Sequence, residues 1–272
     1  MKKLRLGEFE RNSLVVFAIT MIANVLSYLY QIVMGNVLTP ADYGTVNTLL
    51  SLSVVVGVPS GIISALTATY TAKYHAHGET FAIAAFMHGM LRVAAVLAVI
   101  VFVAGALLSR PIAHVLQIDD PHYVTVVMVL VASNCLGPVF SSTLQGVKRF
   151  IPYSMNSVLS FAFRLLLGVI FVWLGRGIPG ALAALILAAC LTMLYCLFKS
   201  RDLFFAPVKE NLALDRTEIR RYFVSTFWFQ MFLLLMANGD VLLIKTFATD
   251  PAEVGIYLSL IHISEPTRHS LI

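Results

Sequence analysis

The chain has 272 residues, of which 59% are hydrophobic and only 12% charged, with a formal net charge of +5 and a mean hydropathy of +0.86. A soluble domain carries about 25% charged residues and cannot hide this much apolar surface, so the composition excludes a soluble enzyme and indicates a polytopic membrane protein. The basic excess sits beside apolar segments, where it sets orientation rather than contacting nucleic acid.

A helix needs about 20 apolar residues to cross the hydrocarbon layer. The first predicted span, Ser13–Gly35, follows Lys2, Lys3, Arg5 and Arg11, and no small-residue cleavage site marks it as a leader. It carries Asn24 and Gln31, with Asn36 just beyond it and Asn47 in the second span, Thr45–Tyr70. Amides offer both donors and acceptors, as a cavity for sugar hydroxyls demands. They read equally as interhelical contacts worth about 0.6 kcal/mol each. Tyr28, Tyr30, Tyr43 and Tyr70 read as interfacial belts. His75-Ala76-His77 points two rings apart on a helix, with only Glu79 near, and reads as a solvated loop rather than a metal site.

The third span is Ala82–Leu108. Arg92, near its cytoplasmic start, reads first as a snorkelling residue and second as a substrate contact, and His88 beside it has no second ligand at helical spacing. A short interfacial helix is expected over Pro111–Ile118, because proline suits a first helical turn. Tyr123–Leu144, Ser154–Leu174 and Pro179–Leu197 follow as the fourth, fifth and sixth spans. Arg164 lies about ten residues into the fifth. Charge at that depth is costly and marks a functional site. A guanidinium there can grip phosphate oxygens in pairs, the alternative being a snorkel to the headgroups. Cys135, Cys190 and Cys196 all fall inside apolar segments and read as small lipid- or helix-facing residues.

A polar, basic linker, about Phe198 to Arg221, separates these six spans from a seventh, Tyr222–Phe247. Asp240, in the outer part of the seventh, reads as a site for a coupling cation or proton, or as half of a structural ion pair. Lys245, five residues on, is off its helical face. An eighth span begins near Gly255. The expected organisation is a transmembrane bundle over 1–198, a cytoplasmic linker over 199–221, and the start of a second bundle over 222–258. Ser259-Leu260-Ile261-His262-Ile263-Ser264-Glu265-Pro266-Thr267-Arg268 resembles one frame of a transposon-type sequencing adaptor. Residues 259–272 are therefore read as a non-native tail.

One short signature occurs twice. Pro40-Ala41-Asp42-Tyr43-Gly44 returns as Pro251-Ala252-Glu253-Val254-Gly255, each copy just after a long apolar segment. An even number of crossings separates the copies, so both face one compartment, as in a transporter of two parallel halves. Lys73, Lys148, Arg149, Lys199, Arg201, Lys209, Arg216, Arg220 and Arg221 fall on the side of the N-terminus, against Arg110, Arg176 and Lys245 on the other. The positive-inside rule then puts the N-terminus in the cytoplasm and both signatures outside. The expected fold class is an all-α polytopic membrane protein: a first six-helix bundle plus the start of a second in a parallel-repeat transporter.

The stretch from Tyr30-Gln31-Ile32 through Pro40-Ala41-Asp42-Tyr43-Gly44 resembles the first span and loop of polysaccharide-biosynthesis flippases. Asn238-Gly239-Asp240-Val241-Leu242-Leu243-Ile244-Lys245 with Pro251-Ala252-Glu253-Val254-Gly255-Ile256-Tyr257 resembles the seventh span and loop of that family. The family belongs to the multidrug/oligosaccharidyl-lipid/polysaccharide exporter superfamily. The resemblance covers about Asn12 to Leu258. It implies 12 to 14 spans in two bundles around a central cavity, a bacterial inner-membrane location, and transfer of a lipid-linked oligosaccharide to the outer leaflet by alternating access. Membrane lipids and glycan-assembly enzymes are the implied partners. This chain lacks most of the second bundle.

Two other functions compete. A multidrug or cation-coupled antiporter of the same superfamily would carry carboxylates in its first bundle, whereas the first six spans here hold Arg92 and Arg164 and no internal acid. A membrane-integral polysaccharide polymerase or ligase needs a substantial outer loop, and the outer connections are short. No Walker-type, Gly-x-Ser-x-Gly or His-Glu-x-x-His motif is present. The expectation is a transporter without a cofactor and not an enzyme.

Overall fold

The computed structural model of the chain describes residues 2–116, 118–207 and 220–233. The described residues are helical throughout their ordered elements, with α1 (Lys2–Val37), α2 (Pro40–Val56), α3 (Val58–Ala76), α4 (Thr80–Leu107) and α5 (Ser109–Leu116) followed by α6 (Pro121–Gly146), α7 (Phe150–Phe171) and α8 (Gly177–Phe204). A π-helical turn, Val172–Arg176, joins α7 to α8, and Gly175 within it has φ +74°. Five helices are long and apolar enough to cross a membrane, and α2 with α3 makes a sixth crossing as a bent pair. This is a multi-pass membrane protein. Met1–Phe223 form one compact unit. In the second, residues 224–233 are helical.

The first copy of the signature is a helix start. Thr39 Oγ1 accepts the N–H of Asp42 at 3.2 Å, Pro40 opens α2, and Asp42 places an acid in its first turn. A capping hydroxyl, a proline whose missing N–H costs nothing and a carboxylate at the positive helix end all favour initiation here. The second copy lies outside the described residues. Asp120 plays the cap at α6, accepting the His122 N–H at 2.8 Å, with Pro121 again the first helical residue.

The second span differs from its expected form. It is not one rod over Thr45–Tyr70 but two helices meeting at 49°. Gly57 closes α2 on Ser53 (2.9 Å), while Ser60 N–H turns back to the Gly57 carbonyl (2.9 Å). Pro59 between them has no N–H to give, so the ladder is interrupted and the axis bends. The interfacial helix forms as α5, starting two residues before Pro111. Ala113 is buried against α6 while Val115 is 78% exposed. α8 runs to Phe204, seven residues past the expected end of the sixth span.

α6 is the centre of the bundle. It packs on α2, α3, α4, α5, α7 and α8, and 44% of its apolar window is buried against 6% for α1. Its N-terminal half joins Leu49, Leu182 and Leu185 through Val124, Val127, Met128 and Val131, while Phe140 and Leu144 meet Ile83, Met87 and Cys196 further along. Small residues let α3 approach. A Cβ on Gly146 would stand 2.7 Å from Thr71 Cβ and 2.8 Å from the Ala68 carbonyl, and the Ser64 and Ser142 hydroxyls share a 2.7 Å hydrogen bond. Without a hydrophobic drive between helices in lipid, such close approach and interhelical hydrogen bonds hold the pair. Arg149, in the turn before α7, donates to the Lys199 carbonyl (3.0 Å) and pairs with Asp202, tying that turn to the end of α8.

Candidate functional site

A cavity of about 770 Å³ opens among α1, α2, α6, α7 and α8, with the break between α2 and α3 in its wall. Irregular backbone at membrane depth survives only where protein or a wet cavity covers it, and Ser53, Gly57 and Ser60 all face this space.

α7 brings the chemistry. Asn156, Ser160 and Arg164 follow one another four residues apart, so the 3.6-residue period sets them on one face, and all three line the cavity. The Arg164 guanidinium lies over the Phe161 ring, Cζ 5.4 Å from its centroid, an arrangement that holds the cation by the ring quadrupole. Its Nε is buried and has no hydrogen-bond partner among the described residues. Among those residues the lining holds no other charged side chain. The cavity is therefore positive, with a donor left unmatched in it.

α1 reaches the site beside α7 because Gly168 leaves room. A Cβ there would sit 3.2 Å from Met34 Sδ and 3.6 Å from the Tyr30 ring. Tyr30 and Gln31 line the cavity from α1, and Tyr43 and Asn47 from α2. α6 adds Asn134 and Pro138. The proline has no N–H to donate to the carbonyl of residue 134, four back. From α8 come Thr192 and Cys196. The thiol of Cys196 donates to Asn156 Oδ1 at 3.2 Å.

Of the residues singled out by sequence, Gln31, Asn47 and Arg164 meet in this cavity. Asn24 is exposed on α1 and Arg92 exposed on α4, and neither is part of the lining. Asp240 and Lys245 lie outside the described residues, as do Pro251 to Gly255. Asn36 spends its amide on the Ile32 carbonyl at 2.7 Å. The belt reading of the tyrosines divides. Tyr28 is 65% exposed, Tyr30 and Tyr43 face the cavity, and Tyr70 is buried against Phe86, ring centroids 5.3 Å apart, with Tyr222 edge-on. His88 bonds the Ala84 carbonyl (2.7 Å) and stacks on Phe204 at 4.5 Å, and His77 bonds the Lys73 carbonyl (2.8 Å).

Sequence reading missed Asn134, Asn156, Ser160, Tyr30, Tyr43 and Cys196 as cavity residues. The four-residue spacing of Asn156, Ser160 and Arg164 was the available signal. Nothing local marks the tyrosines: the surroundings of Tyr30 depend on how α1 turns against α7, and Tyr43 is carried by α2.

The family of polysaccharide biosynthesis proteins matches residues 9–263. The chain belongs to that family. The match runs five residues into the segment read as a tail. A comparison with curated proteins finds no match. Among solved structures, this polysaccharide biosynthesis protein is similar to a MOP superfamily transporter from Pyrococcus furiosus (TM-score 0.68, 17% identity, 93% of this chain and 59% of that one). It is similar too to a multidrug resistance MATE family transporter of the same superfamily, in an outward-facing conformation (TM-score 0.67, 18% identity, 93% and 59%). The Vibrio cholerae MATE transporter VcmN in its bent form gives a TM-score of 0.68 at 16% identity, covering 92% and 60%. The chain thus has the fold of these transporters over most of its own length, and it spans about 60% of theirs.

Proposed function

We propose that the protein is a flippase that carries a lipid-linked oligosaccharide across the bacterial inner membrane by alternating access, its N-terminus in the cytoplasm. The observation that carries this reading is Arg164, a guanidinium near the middle of a spanning helix, with its Nε buried and unmatched, in a cavity whose described lining holds no acid. A cation so placed must meet an anion to offset its burial. A diphosphate is the anion a planar donor fork fits, through paired hydrogen bonds.

The amides and hydroxyls around it suit the sugars, which need donors and acceptors in equal measure. The acyl tail stays in the lipid while the headgroup crosses between the two bundles, and glycan-assembly enzymes supply and consume the cargo. Midplane binding at a broken helix between repeats is a general transporter design, and the Gly57 break stands in this wall.

A multidrug antiporter is the second reading, since one structural neighbour is a multidrug resistance MATE family transporter. Pocket charge separates the two. In the Pyrococcus furiosus relative, reversed polarity of the binding pocket suggests a different function, and here the described lining is cationic. No described connection offers the large outer loop of a polymerase.

Transport of a fluorescent polyprenyl-diphosphate sugar between liposome leaflets tests the reading. Arg164→Ala is expected to slow it by about 10- to 100-fold, the worth of a charge-assisted hydrogen bond, with Arg164→Lys in between. Unchanged transport by the alanine variant would rule the reading out.

A further inference from the structure

An arginine that waits in a cavity for its anion needs something to hold it. The side chain turns about several bonds, and freezing them only when the anion arrives subtracts from affinity. No acid among the described lining residues pairs with Arg164, and its Nε has no hydrogen-bond partner among them. The contact that does hold it is the ring of Phe161, a half-buried residue that also lines the cavity, with the guanidinium Cζ 5.4 Å from the ring centroid.

Local sequence sets this contact up. Phe161 and Arg164 lie three residues apart on α7, which makes them neighbours on the helix surface. Helical side chains lean toward the N-terminus, so the longer arginine folds back over the earlier ring. A ring attracts a cation through its face. The N–H groups of a guanidinium point outward in its own plane, so a hold on its face leaves them for paired bonds to phosphate oxygens.

The same spacing recurs on α8, where Arg201 lies over Phe198 at 4.6 Å. That ring is 57% exposed, its arginine is exposed too, and neither lines the cavity. A cation over a ring is worth least in such a setting and more where water is kept away. The two pairs share their geometry and differ in their surroundings.

We infer that Phe161 is a positioning residue whose ring holds the Arg164 guanidinium by its face, with its donor edges presented to the anion. It acts through the arginine, and this role rests on the flippase reading above.

Fluorine tests it, because each fluorine drains negative charge from the face of the ring with little change in size. Phe161 is replaced by 4-fluoro-, 3,5-difluoro- and 3,4,5-trifluorophenylalanine in the full chain in nanodiscs. Binding of a polyprenyl diphosphate without sugar is read by native mass spectrometry. Affinity is expected to fall stepwise along the series, by about tenfold at the trifluoro ring. The same series at Phe198 should leave it unchanged. A ring that only packs would give one affinity throughout, and that result overturns the positioning role while the diphosphate reading stands. A diphosphate resting on the ring itself would gain from the fluorines, so a rising series overturns the role as well. An equal decline at Phe198 does the same, since fluorine would then be acting through the whole bundle. If the unaltered chain does not bind the probe, or Arg164→Ala binds it as tightly, the flippase reading falls and the role of Phe161 falls with it.

Discussion

α4 and α7 are near twins by composition and opposites in use. Their apolar windows have mean hydropathies of 2.5 and 2.2, and both leave most of that window unburied, at 22% and 11% buried. On α4 the open side is Val93, Val96, Val99, Ile100 and Val103, a hydrocarbon surface suited to lipid. On α7 Leu166 and Ile170 are the lipid-type surface, and a second side carries Asn156, Ser160 and Arg164 into a cavity. An average cannot separate the two helices. Three polar residues at a four-residue interval do, because the helical period gathers them on one side at little cost to the mean.

The comparison breaks hardest if an arginine is placed on the wrong twin. Val96→Arg puts a charge near the middle of α4 on a face 59% exposed, and should cost about 3 kcal/mol of insertion free energy, measured with a glycosylation-reporter fusion. An insertion equal to that of the unaltered helix would show that α4 borders water. The packed side of α4 should be next in sensitivity. A Cβ on Gly105 would overlap the Met128 side chain of α6, so Gly105→Val is expected to cost about 1–3 kcal/mol in thermal unfolding in detergent.

The smallest effect should have the opposite sign. Arg164→Met removes a buried donor with no described partner and should raise stability by about 1 kcal/mol while transport slows as in Arg164→Ala. Stability that falls instead would mean that Arg164 is a structural strut and not a ligand group.

Hydropathy carried the count of the first six spans, since length and apolar content are local properties. The interfacial helix was equally legible from Pro111 and the acids that follow it. Three things were not. The bend at Gly57 is invisible to an average, because Val54, Val55, Val56 and Val58 keep the run apolar around Pro59. The rotation of α1 puts Gln31 and Tyr30 in the cavity and Asn24 outside it, and that angle is set by Met34 and Tyr30 seating on Gly168, a contact more than 130 residues away in sequence. Arg92 and Arg164 look alike as isolated charges. Only the arrangement of α4 and α7 around α6 places one at an open surface and the other in the cavity.

The break in the second crossing also has a mechanical meaning. α2 is an arm of 17 residues, about 25 Å long, pivoted at a glycine where one backbone rung is missing for want of a proline hydrogen. Each further 10° of rotation at that pivot would carry the Thr39 end of the arm through about 4 Å, more than the width of a water molecule, by torsion at a few bonds. Tyr43 and Asn47 ride on the arm, while the donors of α7 do not. A small swing at Gly57 would therefore change the width of the cavity without disturbing the groups that hold the anion.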